Sequence, residues 1–209
     1  MQTQIISYVG LERCDFVYYL QKLLAGLNKN VLLIDNSESH DLIITMAKFT
    51  GDEVVQRKRT TFLKDRKIGG PITMFDYVII YHGLNPDSEM IAQSDDVICC
   101  LTYDKIMLEK IKFAVELAEI TKPCHIIWRD KTSNKISEKN EEARLRLISK
   151  THHIAPLDLV DMSMYVSLTH NGSQSLKKAK SELITAVQNI TCDITGFKSS
   201  DIKRIIKNM

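Results

Sequence analysis

The sequence predicts an α/β protein with a mostly parallel central sheet of about six to eight strands and helices on both faces. Two observations predict it. Short, wholly apolar runs of strand length alternate with longer stretches of helical periodicity, and the links between them are short. The apolar runs lack the in–out alternation of a half-exposed strand, so they suit strands covered on both sides. The chain has 209 residues, 44% hydrophobic and 26% charged, enough to bury a core without metal or disulfide help.

In order, Ile5–Val9 reads as a strand. Asp15–Gly26 reads as a helix with Phe16, Leu20, Leu23, Leu24 and Leu27 on one face. Val31–Ile34 is a buried strand, and His40–Phe49 a helix ended by Gly51. Tyr77–Ile80 is the next strand, followed by a polar loop and a short helix near Glu89. Asp96–Leu101 is a strand, and Lys105–Glu119 an amphipathic helix stopped by Lys122-Pro123. Cys124–Trp128 is a fifth strand. Ser137–Lys150 reads as a polar helix, His153–Ala155 as a sixth short strand, and Leu176–Ile190 as a long amphipathic helix. No repeat or linker divides the chain, so one domain over 1–198 with a tail at 199–209 is expected.

Composition excludes several classes. There is no run of about 18 apolar residues to span a membrane, and the first residues lack the basic and apolar regions of a secretory leader. Net charge is +2, from 28 basic and 26 acidic residues, too balanced to point to nucleic acid. The five cysteines, Cys14, Cys99, Cys100, Cys124 and Cys192, are odd in number and form no CxxC. Reduced thiols in a cytoplasmic protein are the plain reading, and no metal site is expected.

In such sheets ligands sit at the carboxyl ends of strands, where helix N-termini offer N–H groups. The first strand-to-helix loop is Tyr8-Val9-Gly10-Leu11-Glu12-Arg13-Cys14-Asp15. A phosphate loop needs several glycines, a lysine, and a Ser or Thr for magnesium. This loop has one glycine, a carboxylate at Glu12 where phosphate would sit, and no Ser or Thr at the helix start.

The stretch from Ile5 to Asp35 nevertheless resembles the MinD/ParA family of deviant Walker ATPases, whose pattern is a strand, KGGxGKTT, a helix, then VLLID. The spacing matches without a gap, with Leu20 on the leucine after the loop and Val31-Leu32-Leu33-Ile34-Asp35 eleven residues later. In that register Tyr8 takes the place of the signature lysine that reaches across a dimer. Gly10 keeps a glycine, Val9 and Glu12 replace glycines, Arg13 takes the phosphate lysine, and Cys14 the magnesium threonine. Phe75–Tyr81 resembles the Walker B strand with Tyr81 in the aspartate position. Ala92–Ile98, Thr102-Tyr103-Asp104 and Ile154-Ala155-Pro156 with Asp158 resemble later family segments. Asp35 stands where the family has a carboxylate near the attacking water, but Ser37 follows it at the next acidic position.

The resemblance implies a MinD/ParA-like fold whose magnesium-ATP hydrolysis is lost. The degenerate cofactor-binding positions are Gly10, Arg13, Cys14 and Asp35. No cofactor is expected, with weak ATP or ADP binding through Arg13 left open. The bland alternatives are an exposed first-turn arginine at 13 and a turn-capping carboxylate at 35. Cys14, at a helix start beside Arg13, has some basis as a low-pKa reactive thiol, though a coincidental substitution is the better explanation. Trp128 could stack on a base, though core packing is the commoner fate. Vicinal His152-His153 point to opposite faces of a strand and cannot chelate together.

Two further segments invite function. Ser199-Ser200-Asp201 starts a basic amphipathic tail, with Ile202, Ile205, Ile206 and Met209 on one face and Lys203, Arg204 and Lys207 on the other. MinD-like proteins carry a membrane-targeting helix there; docking on its own domain is the alternative. Arg57, Lys58, Arg59 and Lys64 form a basic cluster for DNA or a partner, interleaved with strand-like Thr60, Thr61 and Phe62 that suit an exposed ribbon or partner edge. The first reading is a non-hydrolysing scaffold or localisation factor for a bacterial partition, pilus/secretion or conjugation system, somewhat like TadZ-type proteins. It would work through protein partners, a homodimer, or peripheral contact at the inner membrane surface. The alternatives are a slow ParA/MinD-type ATPase, and a nucleotide-independent DNA-binding partition protein, which is not favoured.

Overall fold

The computed structural model describes residues 2–47, 54–69, 72–132, 136–174 and 181–208. Eight strands form one sheet: β1 (Gln4–Gly10), β2 (Val31–Asp35), β3 (Val55–Arg57), β4 (Thr60–Lys64), β5 (Tyr77–Gly83), β6 (Asp96–Thr102), β7 (Cys124–Lys131) and β8 (Ser149–Pro156). Their order is β3-β4-β2-β5-β1-β6-β7-β8, and every neighbouring pair is parallel except β3 and β4. The helices are α1 (Asp15–Gly26), α2 (Asp41–Ala47), α3 (Ser88–Gln93), α4 (Lys105–Leu117), α5 (Glu138–Arg144), α6 (Leu159–Asn171), α7 (Glu182–Thr195) and α8 (Ser199–Asn208).

The central strands are apolar on both sides because both sides are covered. Leu33, Ile79, Ile6 and Tyr8 face a large core with Phe16, Leu20 and Leu24 of α1 and Leu183, Val187 and Ile190 of α7. Leu32, Ile34, Val78 and Ile80 face the other way, against Met90 of α3. β1 and β5 lie at the centre, where the winding direction of the chain reverses. The crevice at the carboxyl ends of such strands is where this architecture places ligands.

Three expected helices differ in their bounds, and one helix was not expected. The polar helix predicted over Ser137–Lys150 is only α5. It stops because Arg146 turns into the left-handed region (φ 54°), with the Leu147 N–H donating to the Glu142 carbonyl, a termination made here without glycine. Ser149 and Lys150 then belong to β8, whose polar sequence suits its edge position. The helix predicted over Leu176–Ile190 is α7, which starts where the Ser181 hydroxyl caps Ile184 N–H and ends at Gly196 (φ 71°); its predicted start lies outside the described residues. The helix predicted over His40–Phe49 begins after His40, whose φ is 50°, while Phe49 and Gly51 lie outside the described residues. The sequence reading left α6 unassigned. It is capped by Asp158 and stopped by Gly172, and its apolar residues fall on all sides rather than in one stripe.

The basic segment Arg57–Lys64 forms the β3–β4 hairpin. β4 pairs with β2 inside the sheet and β3 is its antiparallel edge. Among the described residues, no helix is long and apolar enough to cross a membrane.

Candidate functional site

The loop after β1 closes over the carboxyl ends of β1, β5 and β6. Gly10 lies in the ladder against Cys100 with φ 111°, and a Cβ there would stand 2.1 Å from the Cys100 carbonyl oxygen. Glycine is therefore demanded by packing against β6. The Leu11 N–H donates to that same oxygen at 2.9 Å.

Arg13 does not point into open space. Its Nη1 donates to both carboxylate oxygens of Asp130 at 3.1 Å, and its Nη2 to Asp15 at 3.2 Å. The Tyr165 ring of α6 lies under its guanidinium, 4.8 Å from ring centroid to carbon. Asp15 is in turn held by Arg129. Burial would raise the Asp15 carboxyl, but the Arg129 and Arg13 guanidiniums outweigh it and hold it below its usual range. Two arginines and two aspartates thus balance one another's charge at the helix start, with the buried Arg13 Nε left without a hydrogen-bond partner. The exposed first-turn arginine is not what the fold makes of position 13, whose side chain is 15% exposed.

Cys14 is buried, and its backbone N–H donates to Asp41 at 3.1 Å. Burial, then the carboxylates of Asp41 and Asp15, push its thiol well up, which corrects the low-pKa expectation. Asp41 is itself pushed up, by burial and by Asp35, to about 6. Asp35 is wholly buried and committed to its own loop. One oxygen accepts from the Ser37 N–H and hydroxyl at 3.1 and 2.6 Å, the other from the Ile43 N–H at 3.0 Å. That is the turn-capping alternative. Tyr8 is buried, its hydroxyl donating to the Leu11 carbonyl at 2.9 Å and its ring 5.2 Å from that of Tyr81.

Glu12 fills the middle of the loop. Its carboxylate accepts N–H groups from Leu84 after β5 (3.0 Å) and from Glu38 and Ser39 after β2 (both 3.3 Å). A magnesium triphosphate brought here would meet a carboxylate rather than free N–H groups. It would find a buried thiol and a buried neutral phenol where the pattern has a threonine hydroxyl and an aspartate carboxylate, and these residues do not suit it. Cavities of about 590, 540 and 490 Å³ open elsewhere on the described residues, none of these three lined by the Gly10–Cys14 loop. No cluster of three or more His, Cys, Asp or Glu disposed to hold a metal occurs among the described residues.

The other predicted residues lie apart. Arg57, Lys58 and Arg59 form the exposed hairpin tip at the opposite end of the sheet, where Arg59 donates to Asn30 and Arg57 to the Ala47 carbonyl. Lys64 sits at the other end of β4, opposite Asp35 and 3.9 Å from Asp65, so the four cations make no single patch. In α8, Ile202 and Ile206 are buried against the domain and Ile205 packs on the core, while Lys203, Arg204 and Lys207 face solvent or its edge. The docked alternative describes this geometry, and Met209 lies outside the described residues. Trp128 is buried, its indole N–H donating to Glu142 at 2.7 Å, which leaves no face for a base. Sequence reasoning missed Asp41, Arg129, Asp130 and Tyr165, which come from α2, β7 and α6. Opposite charge, of Arg13 and Asp130 and of Asp15 and Arg129, was the one hint, and it does not say which residues meet.

No protein-family model matches the sequence, and no curated protein does. Solved structures do. The chain is similar to a chain of the MinC:MinD cell division protein complex of Aquifex aeolicus, with a TM-score of 0.67 and 14% identity, over 94% of this chain and 97% of that one. It is similar to a ParA family ATPase of Chlorobium tepidum TLS (TM-score 0.60, 14% identity, 90% and 97% covered). It is also similar to a proposed plasmid partition protein of Borrelia burgdorferi B31 bound to AMPPNP (TM-score 0.59, 16% identity, 92% and 98% covered). The fold is MinD/ParA-like.

Proposed function

We propose that the chain is a non-hydrolysing MinD/ParA-like protein that acts through protein partners, as a scaffold or localisation factor. The observation that carries this reading is the commitment of Arg13. The only cation in the first loop is spent on Asp15 and Asp130, leaving no uncompensated positive charge for a polyphosphate. Cys14 and Tyr81, both buried, add no metal ligand. A lysine would be a mobile point charge here, whereas an arginine fork held by two carboxylates is fixed.

A partner-binding role draws support from the surface beside the loop. Leu159, Val160, Met162 and Val166 of α6 are exposed, as is Ile44 of α2, and α2 touches α6. Apolar side chains gathered next to a filled site suit protein contact better than small-molecule chemistry. The test is phosphate release from ATP by the purified chain with magnesium. No turnover above the blank is expected; magnesium-dependent turnover that disappears in Arg13→Ala would overturn the proposal.

A further inference from the structure

The Glu12 carboxylate reaches out of the β1–α1 loop and into two other loops. Its three N–H donors lie 26, 27 and 72 residues along the chain. Room for it comes from Gly83, which sits at φ 57° and whose absent side chain matters. A Cβ at 83 would stand 2.4 Å from Glu12 Oε1 and 2.6 Å from its Cγ. Backbone N–H groups converging on one oxyanion make an anion cradle; here the consecutive Glu38 and Ser39 supply two and Leu84, from another loop, the third. The group they hold belongs to the chain itself.

We infer that Glu12 is a tethered anion. Its carboxylate occupies a cradle fitted to a small oxyanion and clamps the β2–α2 and β5–α3 loops together without any diffusible ligand. The tether keeps the carboxylate at an effective concentration of roughly millimolar or more, so free phosphate competes poorly while Glu12 is present. At 3.0, 3.3 and 3.3 Å the bonds are longer than the strongest charge-assisted ones, so each is modest, and the hold on the loops comes from all three acting through one side chain. The inference concerns what fixes the loops. It does not depend on whether the protein hydrolyses ATP, and its test contains no nucleotide.

The test is amide hydrogen exchange, read at residues 38, 39 and 84 in the wild type, Glu12→Gln and Glu12→Ala, with and without inorganic phosphate. In the wild type these amides should be protected and indifferent to phosphate. In Glu12→Ala they should exchange roughly tenfold faster or more, and phosphate should slow them again. Glu12→Gln, which keeps an acceptor but loses the charge, should fall between. The inference is overturned if the wild-type amides exchange at the rate of an open loop, a result that needs no variant to fold. It is also overturned if a folded Glu12→Ala protein keeps full protection, or if phosphate fails to restore it.

Discussion

Asp15 and Arg129 form a bidentate pair with both N–O distances at 3.0 Å and neither side chain more than 2% exposed. Helix α1 therefore begins on a carboxylate neutralised from the far end of β7. Removing Arg129 would leave the buried Asp15 carboxylate with Arg13 as its remaining cation. Arg129→Met should lower unfolding stability by about 1–3 kcal/mol, and the double variant Asp15→Leu/Arg129→Met should recover part of it. Urea denaturation checks this; equal loss in single and double variants would contradict it. Because the Asp15 carboxyl is held below its usual 3.8, its stabilising share is present above that pH and lost as pH falls through the lower folded value.

Gly10 is the loop glycine that the fold itself requires. Gly10→Ala must move the Cys100 carbonyl or the β1–β6 ladder, and should cost about 3 kcal/mol or more. Gly69→Ala, where a Cβ would have nothing within 4 Å, should stay within about 0.5 kcal/mol of the wild type. Thermal melts of the two variants read the difference, and similar midpoints would refute the packing argument.

Much of the fold could be read from the residues because the buried strands are short, apolar and bounded by turns. Val31–Asp35 and Tyr77–Gly83 announce themselves in this way. Only the end of β8 was read, as His153–Ala155, because an edge strand tolerates Ser149, Lys150 and His152, and α6 was missed because its apolar residues have no single face. In the loop, the departures from the MinD/ParA pattern it resembles were visible as different residue types. Which partners those residues take was not, since Asp130, Arg129 and Leu84 come from strands and loops distant in sequence. The amphipathic pattern of α8 was legible, but the same pattern serves a membrane or a neighbouring core, and only packing decides between them.

His82 lies in a buried relay. Its Nδ1 accepts the Asp87 N–H at 3.4 Å, its Nε2 meets the Ser7 hydroxyl at 3.1 Å, and Ser7 meets Ser94 (2.7 Å), which donates to the Met90 carbonyl at 3.0 Å. Every contact is satisfied when the proton is on Nε2. Burial pushes the imidazole down to about 4. A base with a lowered folded pKa loses stability as pH falls from its ordinary 6.5 toward the folded value. Imidazole NMR should show the Nε2–H tautomer with no titration above about pH 5; titration near 6.5 would count against the relay.

Helix α8 buries Ile202 and Ile206 in the domain. Ile202→Ala should destabilise by about 2–4 kcal/mol, whereas Lys203→Glu with Arg204→Glu should change stability by less than about 1 kcal/mol. The same docking hides the apolar face from lipid, so the folded chain should not float with anionic liposomes. Flotation abolished by the charge reversal would show that the helix releases to bind them.

The first loop is filled by the protein's own side chains, and calorimetric titration of the wild-type chain with ATP and magnesium tests this most directly. No saturable heat is expected up to about 1 mM nucleotide, corresponding to binding weaker than roughly 4 kcal/mol. A magnesium-dependent dissociation constant in the micromolar range would mean that Arg13 and Glu12 give way to a triphosphate, contrary to their packing here.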